Sequence, residues 1–152
     1  MKKKTPRQEL DGFLSKYTPD TASDARKVLA KMRSRLPGAM ELVYDNYNAL
    51  AIGFGPTERA SDAIFSIAVF PRWVSLFFFQ GAMLEDPGKI LEGSGKTVRH
   101  IVLEGPETLE RPAVKALMKQ ALERAPKPLD KKARGRLIIK SISTKQRPRR
   151  PA

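Results

Sequence analysis

The segment from Ser61 to Gln80, SDAIFSIAVFPRWVSLFFFQ, restricts what this chain can fold into more than any other. Its two arms, Ala63–Phe70 and Trp73–Phe79, are dense in β-branched and aromatic residues and predict strands folded back through Pro71-Arg72. Side chains alternate along a strand, so Phe65, Ile67 and Val69 share one face while Ile64, Ala68 and Phe70 share the other. In the second arm Trp73, Phe77 and Phe79 alternate with Val74, Leu76 and Phe78. The hairpin is apolar on both sides, and both sides demand cover.

The flanking sequence supplies cover for one side. Arg7–Tyr17 carries Leu10, Phe13, Leu14 and Tyr17 at helical spacing, with Gly12 weakening that helix by about 1 kcal/mol relative to alanine. Thr18-Pro19-Asp20 reads as an N-cap, a first-turn proline and an acid at the positive end of a second helix. That helix runs to about Leu36, where Pro37-Gly38 stops it. Leu42–Tyr44 and Ala49–Phe54 read as strands joined by a bend at Asp45-Asn46, and Thr97–Glu104 as another strand. Asp86-Pro87-Gly88 predicts a helical turn over Lys89–Leu91. Arg111–Arg124 is a last helix, with Pro112 near its start.

Pro126 and Pro128 mark an expected domain end, so residues 1–9 form a basic arm, 10–125 the domain and 126–152 a basic tail. Within the tail Leu137–Ile142 is apolar enough for a short edge strand, and Gln146–Ala152 is expected to be mobile and extended. The order predicts an α+β fold: one domain, an antiparallel sheet of about five strands, two N-terminal helices and one C-terminal helix. Helices on one sheet face leave the other in search of a partner, either a second copy in a homodimer or a ligand in a groove.

Charge is segregated along the chain. Four basic side chains and one acid give residues 1–9 a charge of +3, and ten basic side chains against Asp130 give residues 126–152 +9, out of a total of +13. The body is nearly neutral. Basic ends attract polyanions by counterion release, which nominates Lys131, Lys132, Arg134, Arg136, Lys140, Lys145, Arg147, Arg149 and Arg150 as nucleic-acid contacts; the alternative is a tail that only aids solubility. There is no cysteine, which removes disulfides and thiolate chemistry. No cofactor is called for. The start of the chain lacks an apolar signal core, and Ala63–Phe79 is broken by Pro71-Arg72 and short of the roughly 20 residues a spanning helix needs. The expectation is a cytoplasmic protein with no membrane partner.

No motif announces an enzyme. Gly93-Ser94-Gly95-Lys96-Thr97 ends like a phosphate-binding loop, but Ile90 stands where the first glycine belongs and a strand, not a helix, follows. His100 is the only histidine, with a reference pKa of about 6.5 suited to acid–base work. Its neighbour Arg99 faces the other way on the strand, and no nucleophile is signalled beside it. Glu85, Asp86 and Glu92 have no spacing that defines a metal site. Tyr44-Asp45-Asn46-Tyr47-Asn48 is the densest run of hydrogen-bonding side chains in the body. It reads either as ligand-orienting groups at a pocket, together with Arg99 and His100, or as a turn whose Asx side chains cap their own backbone.

LPGAMELVYDNYNALAIGFGPTERASDAIFSIAVFPRWVSLFFFQGA, with LEGSGKTVRHIVLE and LERPAVKALMKQAL, resembles the YdhG-like domain family of bacterial proteins over roughly Leu10–Leu122. The resemblance implies a small α+β domain with an antiparallel sheet. One branch of that family is described as a frataxin-like iron chaperone, which implies iron held by surface carboxylates. The first helices here carry only Glu9, Asp11, Asp20 and Asp24 among many cations. Other branches have a tryptophan-glycine-x-proline stretch where this chain has Tyr44-Asp45-Asn46-Tyr47. The expected function is a non-catalytic module binding a small ligand or a protein, with nucleic-acid association and iron handling as alternatives.

Overall fold

The computed structural model describes residues 3–151; Met1 and Lys2 of the basic arm and Ala152 of the tail lie outside the described residues. Three helices, α1 (Pro6–Leu14), α2 (Pro19–Arg35) and α3 (Pro112–Glu123), accompany six strands: β1 (Met40–Asp45), β2 (Leu50–Gly55), β3 (Phe65–Val69), β4 (Val74–Phe78), β5 (Arg99–Leu103) and β6 (Leu137–Ile142). The strands form one sheet in the order β5-β4-β3-β2-β1-β6, antiparallel throughout except for the parallel β1–β6 pair. The fold is α+β, with one strand more than the expected five.

Local chemistry sets the helix starts. Thr5 and Gln8 form a reciprocal capping box around Pro6, so α1 begins slightly earlier than the spacing predicts. Thr18 caps α2 through the Thr21 N–H, with Pro19 in its first turn. Both helices lay their apolar stripes on the face carrying Val43, Ile52, Ile67, Leu76 and Ile101, and α3 adds Val114, Leu117 and Met118 to the same core. Each large apolar side chain buried there contributes roughly 1.5–3 kcal/mol, which holds the helices on this side. Within β3 and β4 the predicted alternation holds, with Phe65, Ile67 and Val69 facing Phe78, Leu76 and Val74 in the core. Ile64, expected on the opposite face, precedes β3 and is buried in the same core. Trp73 and Phe70 stack with ring centroids 4.9 Å apart at the hairpin's end.

Two further expectations require correction. Lys89–Leu91 is not helical. The Asp86 carboxylate accepts the N–H groups of Ile90 and Leu91 at 3.1 and 2.9 Å, Lys89 takes a positive φ of 52°, and the chain then bridges Glu92 to His100. The described part of the expected mobile tail, residues 146–151, is not a free extension either. β6 completes the sheet, the Arg147 N–H donates to the Tyr47 carbonyl at 2.8 Å, and Arg149 is buried. Among the described residues no helix is long and apolar enough to cross a membrane.

Candidate binding groove on the open sheet face

The sheet's second face lies outside the helix-covered core. Where β2 and β3 run side by side on this face, the residues are small: Ala51 pairs with Ala68 and Gly53 with Ser66. Larger side chains flank them, Leu42 and Tyr44 from β1, Phe77 from β4 and Phe79 just beyond it. The result is a trough of about 340 Å³. One end is closed by the segment 56–63, whose 3₁₀ turn Ala60–Asp62 sits against the strands. Gly55 permits that approach, since a Cβ there would lie 2.8 Å from the Ala63 Cα. Thr57 donates to the Asp62 carboxylate at 2.6 Å within the segment, and Lys140 donates to the Glu58 carbonyl at 3.1 Å.

Tyr44 is one of the trough's polar elements, with Ser66 and Asn46. Its hydroxyl is buried and has no hydrogen-bond partner among the described residues, and burial pushes its pKa above that of a free phenol. Such a group costs stability until something satisfies it. Asn46 also lines the trough. The rest of the Tyr44–Asn48 run parts company with them. Asp45 turns to the opposite face, where its Oδ1 accepts from Arg149 Nη2 at 2.9 Å and its Oδ2 lies 3.7 Å from Lys16 Nζ. Tyr47 is exposed under the Arg147 guanidinium, 5.7 Å from ring centre to cation. Asn48 is exposed, and the turn closes through the Asn46 N–H to the Ala49 carbonyl at 3.0 Å.

The two β5 candidates also separate. His100 stacks on Phe77 with centroids 5.1 Å apart, extending the trough's aromatic wall, and its Nε2 lies 3.7 Å from Glu92. Arg99 takes the other face and spends its guanidinium on the Gly95 and Val98 carbonyls at 2.6 and 2.8 Å. It does not reach the trough.

The basic residues of the tail divide into engaged and unengaged groups. Arg136 pairs with Glu58, Lys140 holds the Glu58 carbonyl, Arg147 covers Tyr47, Arg149 is buried and Arg150 donates to the Lys16 carbonyl at 3.1 Å. Lys131, Lys132 and Arg134 are exposed on the loop before β6 and, like Lys145, make no side-chain bond or ion pair among the described residues. No group of three histidine, aspartate or glutamate side chains among the described residues stands where it could hold a metal ion.

The trough's floor was written in the sequence as small residues at period two, Ala51 and Gly53 then Ser66 and Ala68. Only the β2–β3 register reveals that they adjoin. In comparison with known proteins, no family model, curated protein or solved structure matches this chain.

Proposed function

We propose that this protein is a non-catalytic binding module of the YdhG-like type, and that the open sheet face takes a small, flat, largely apolar ligand. The observation that carries the reading is the trough itself: small side chains on two adjacent central strands, walled by Tyr44, Phe77 and Phe79. Its volume of about 340 Å³ falls in the range of small-molecule sites, which are apolar with a few polar groups. Concavity favours an inserted ligand over a second copy of the sheet, because a flat partner laid across it would leave an unfilled void. The unpartnered Tyr44 hydroxyl supplies the polar group that would fix orientation.

The test uses 2-naphthol as a neutral planar probe, followed by its fluorescence and by the methyl resonances of Ala51 and Ala68. Saturable binding that shifts both methyls, and that Ala68→Leu abolishes by filling the trough, is the expected result. Unsaturable binding, or binding indifferent to Ala68→Leu, rejects the reading. Light scattering on the same samples decides for the homodimer instead if the chain is dimeric and Ala68→Leu dissociates it.

A second reading rests on the unengaged cations Lys131, Lys132, Arg134 and Lys145, which present positive charge to polyanions such as nucleic acid. Contacts of this kind are sequence-tolerant and weaken steeply with salt. Binding of generic duplex or single-stranded DNA that falls steeply with salt and is lost when all four are replaced by glutamine in the full chain is the expected result, and binding unchanged in that variant rejects the reading. Iron handling is the least supported proposal; titration with ferrous iron showing no heat of binding removes it.

A further inference from the structure

A second cavity, of about 450 Å³, lies on another part of the surface, between the 61–64 segment, the turn at Gly81–Met83 and the C-terminal end of α3. Ile64, Leu84 and Ala121 give it an apolar floor and Met83 an exposed apolar rim. Two cations line it, Arg124 and Lys127, against one carboxylate, Asp62.

The cations are held in place without being saturated. Arg124 Nη1 donates to the Met83 carbonyl at 2.8 Å, and Nη2 stands 3.6 Å from the exposed Glu85 carboxylate. Lys127 Nζ is 3.4 Å from Asp62 Oδ2, whose carboxylate also accepts from Thr57. The hydrogen bond from Thr57, and then Lys127, hold the Asp62 carboxyl below the usual range, so it stays charged and offsets one of the two cations. Glu85 meets Arg124 from outside the lining and is 80% exposed, so the lining itself sets two cations against one carboxylate beside an apolar floor.

We propose that this cavity binds an amphiphilic monocarboxylate, its hydrocarbon on Ile64, Leu84 and Ala121 and its carboxylate on Arg124 and Lys127. A forked guanidinium matches a carboxylate in geometry, and charge-assisted bonds of this kind are the strong ones. A dianionic phosphate fits less well, because Asp62 and the last carbonyls of α3 both oppose the additional negative charge. The site is independent of the trough, with Ala63 the residue between them that lines both.

The experiment is calorimetric titration of the full chain with octanoate, 1-octanol and inorganic phosphate. Octanoate should saturate a single site about tenfold more tightly than octanol, the worth of one charge-assisted contact. Arg124→Gln and, separately, Lys127→Gln should each remove most of that advantage while leaving octanol unchanged. Ala121→Leu, which fills the floor, should weaken both ligands, and Ala68→Leu in the trough should weaken neither. Equal affinity for octanoate and octanol, phosphate competing as well as octanoate, octanoate binding unchanged in both glutamine variants, or loss of octanoate binding in Ala68→Leu would each overturn the proposal.

Discussion

Arg149 and Asp45, 104 positions apart in the chain, form an ion pair in which the side chains are 4% and 1% exposed. Arg149 also donates to the Asn46 carbonyl at 2.5 Å, and its guanidinium lies 5.9 Å from the centre of the Tyr17 ring. Tyr17 in turn donates to the Val69 carbonyl at 2.7 Å and accepts the Leu50 N–H at 3.2 Å. One arginine near the end of the chain thereby ties the β1–β2 turn to the α1–α2 junction and the central hairpin. Its Nε and Asp45 Oδ2 have no hydrogen-bond partner among the described residues, so the pair is held by its other atoms.

Breaking the pair from one side leaves a buried charge. Arg149→Ala is expected to lower the unfolding free energy by about 3 kcal/mol, the low end for such a loss, because Lys16 stands near enough to compensate Asp45 in part. The double variant Asp45→Asn with Arg149→Met should recover most of that loss. Urea denaturation of the three proteins measures both effects, and a single variant no less stable than the parent would show that the pair has no structural role.

Glu110 gathers Lys31, Lys115 and Arg35 around one carboxylate, and these cations hold its pKa down at about 2 against an ordinary value of 4.5. A carboxyl whose pKa is lower in the folded state stabilises above the unfolded value and loses that contribution as pH falls through the folded one. The thermal midpoint should therefore stand higher in the parent than in Glu110→Gln at pH 6. The gap should narrow as pH drops below 4.5 and close near pH 2. A gap constant across that window would mean the three cations do not act through charge.

What local sequence encodes and what it omits divide cleanly here. The alternation in the hairpin sorts its side chains into two faces because period two is a local property, and LIIKSI reads as a strand for the same reason; which of the two apolar faces the helices cover is not local. That β6 pairs with β1, and in parallel, depends on a partner nearly 100 residues away, which no local pattern states. RPRRP has the composition of a solvated end, and only the buried carboxylate of Asp45 makes Arg149 a structural residue. Around Lys89, the acid, proline and glycine typical of a helix start were present, but Asp86 caps two N–H groups without any helix following.

Tyr44→Phe removes a buried hydroxyl that has no partner among the described residues, so it should cost nothing and can stabilise by up to about 1 kcal/mol. The usual outcome of deleting a satisfied hydroxyl is the reverse. Equilibrium denaturation distinguishes them, and destabilisation would show that the hydroxyl is satisfied after all. The same variant should weaken the binding of 2-naphthol relative to naphthalene, since only the former can use the hydroxyl.

Cutting the chain after Ala125 at first looks like a mild way to remove its basic end. The structure predicts otherwise. Without β6, the β1 edge loses its hydrogen-bonding neighbour from Glu41 to Asp45, and Asp45 loses Arg149. An unpaired edge next to an uncovered apolar face is a template for association. The 1–125 fragment should show a depressed thermal midpoint and concentration-dependent aggregation by light scattering. The full chain with Lys131, Lys132 and Arg134 changed to glutamine, relieved of three of the five cations between Ala125 and β6, should stay as stable as the parent because none of the three side chains has a partner among the described residues. A well-behaved 1–125 fragment would mean that β6 adds nothing to the sheet's stability and that the segment after α3 serves charge alone.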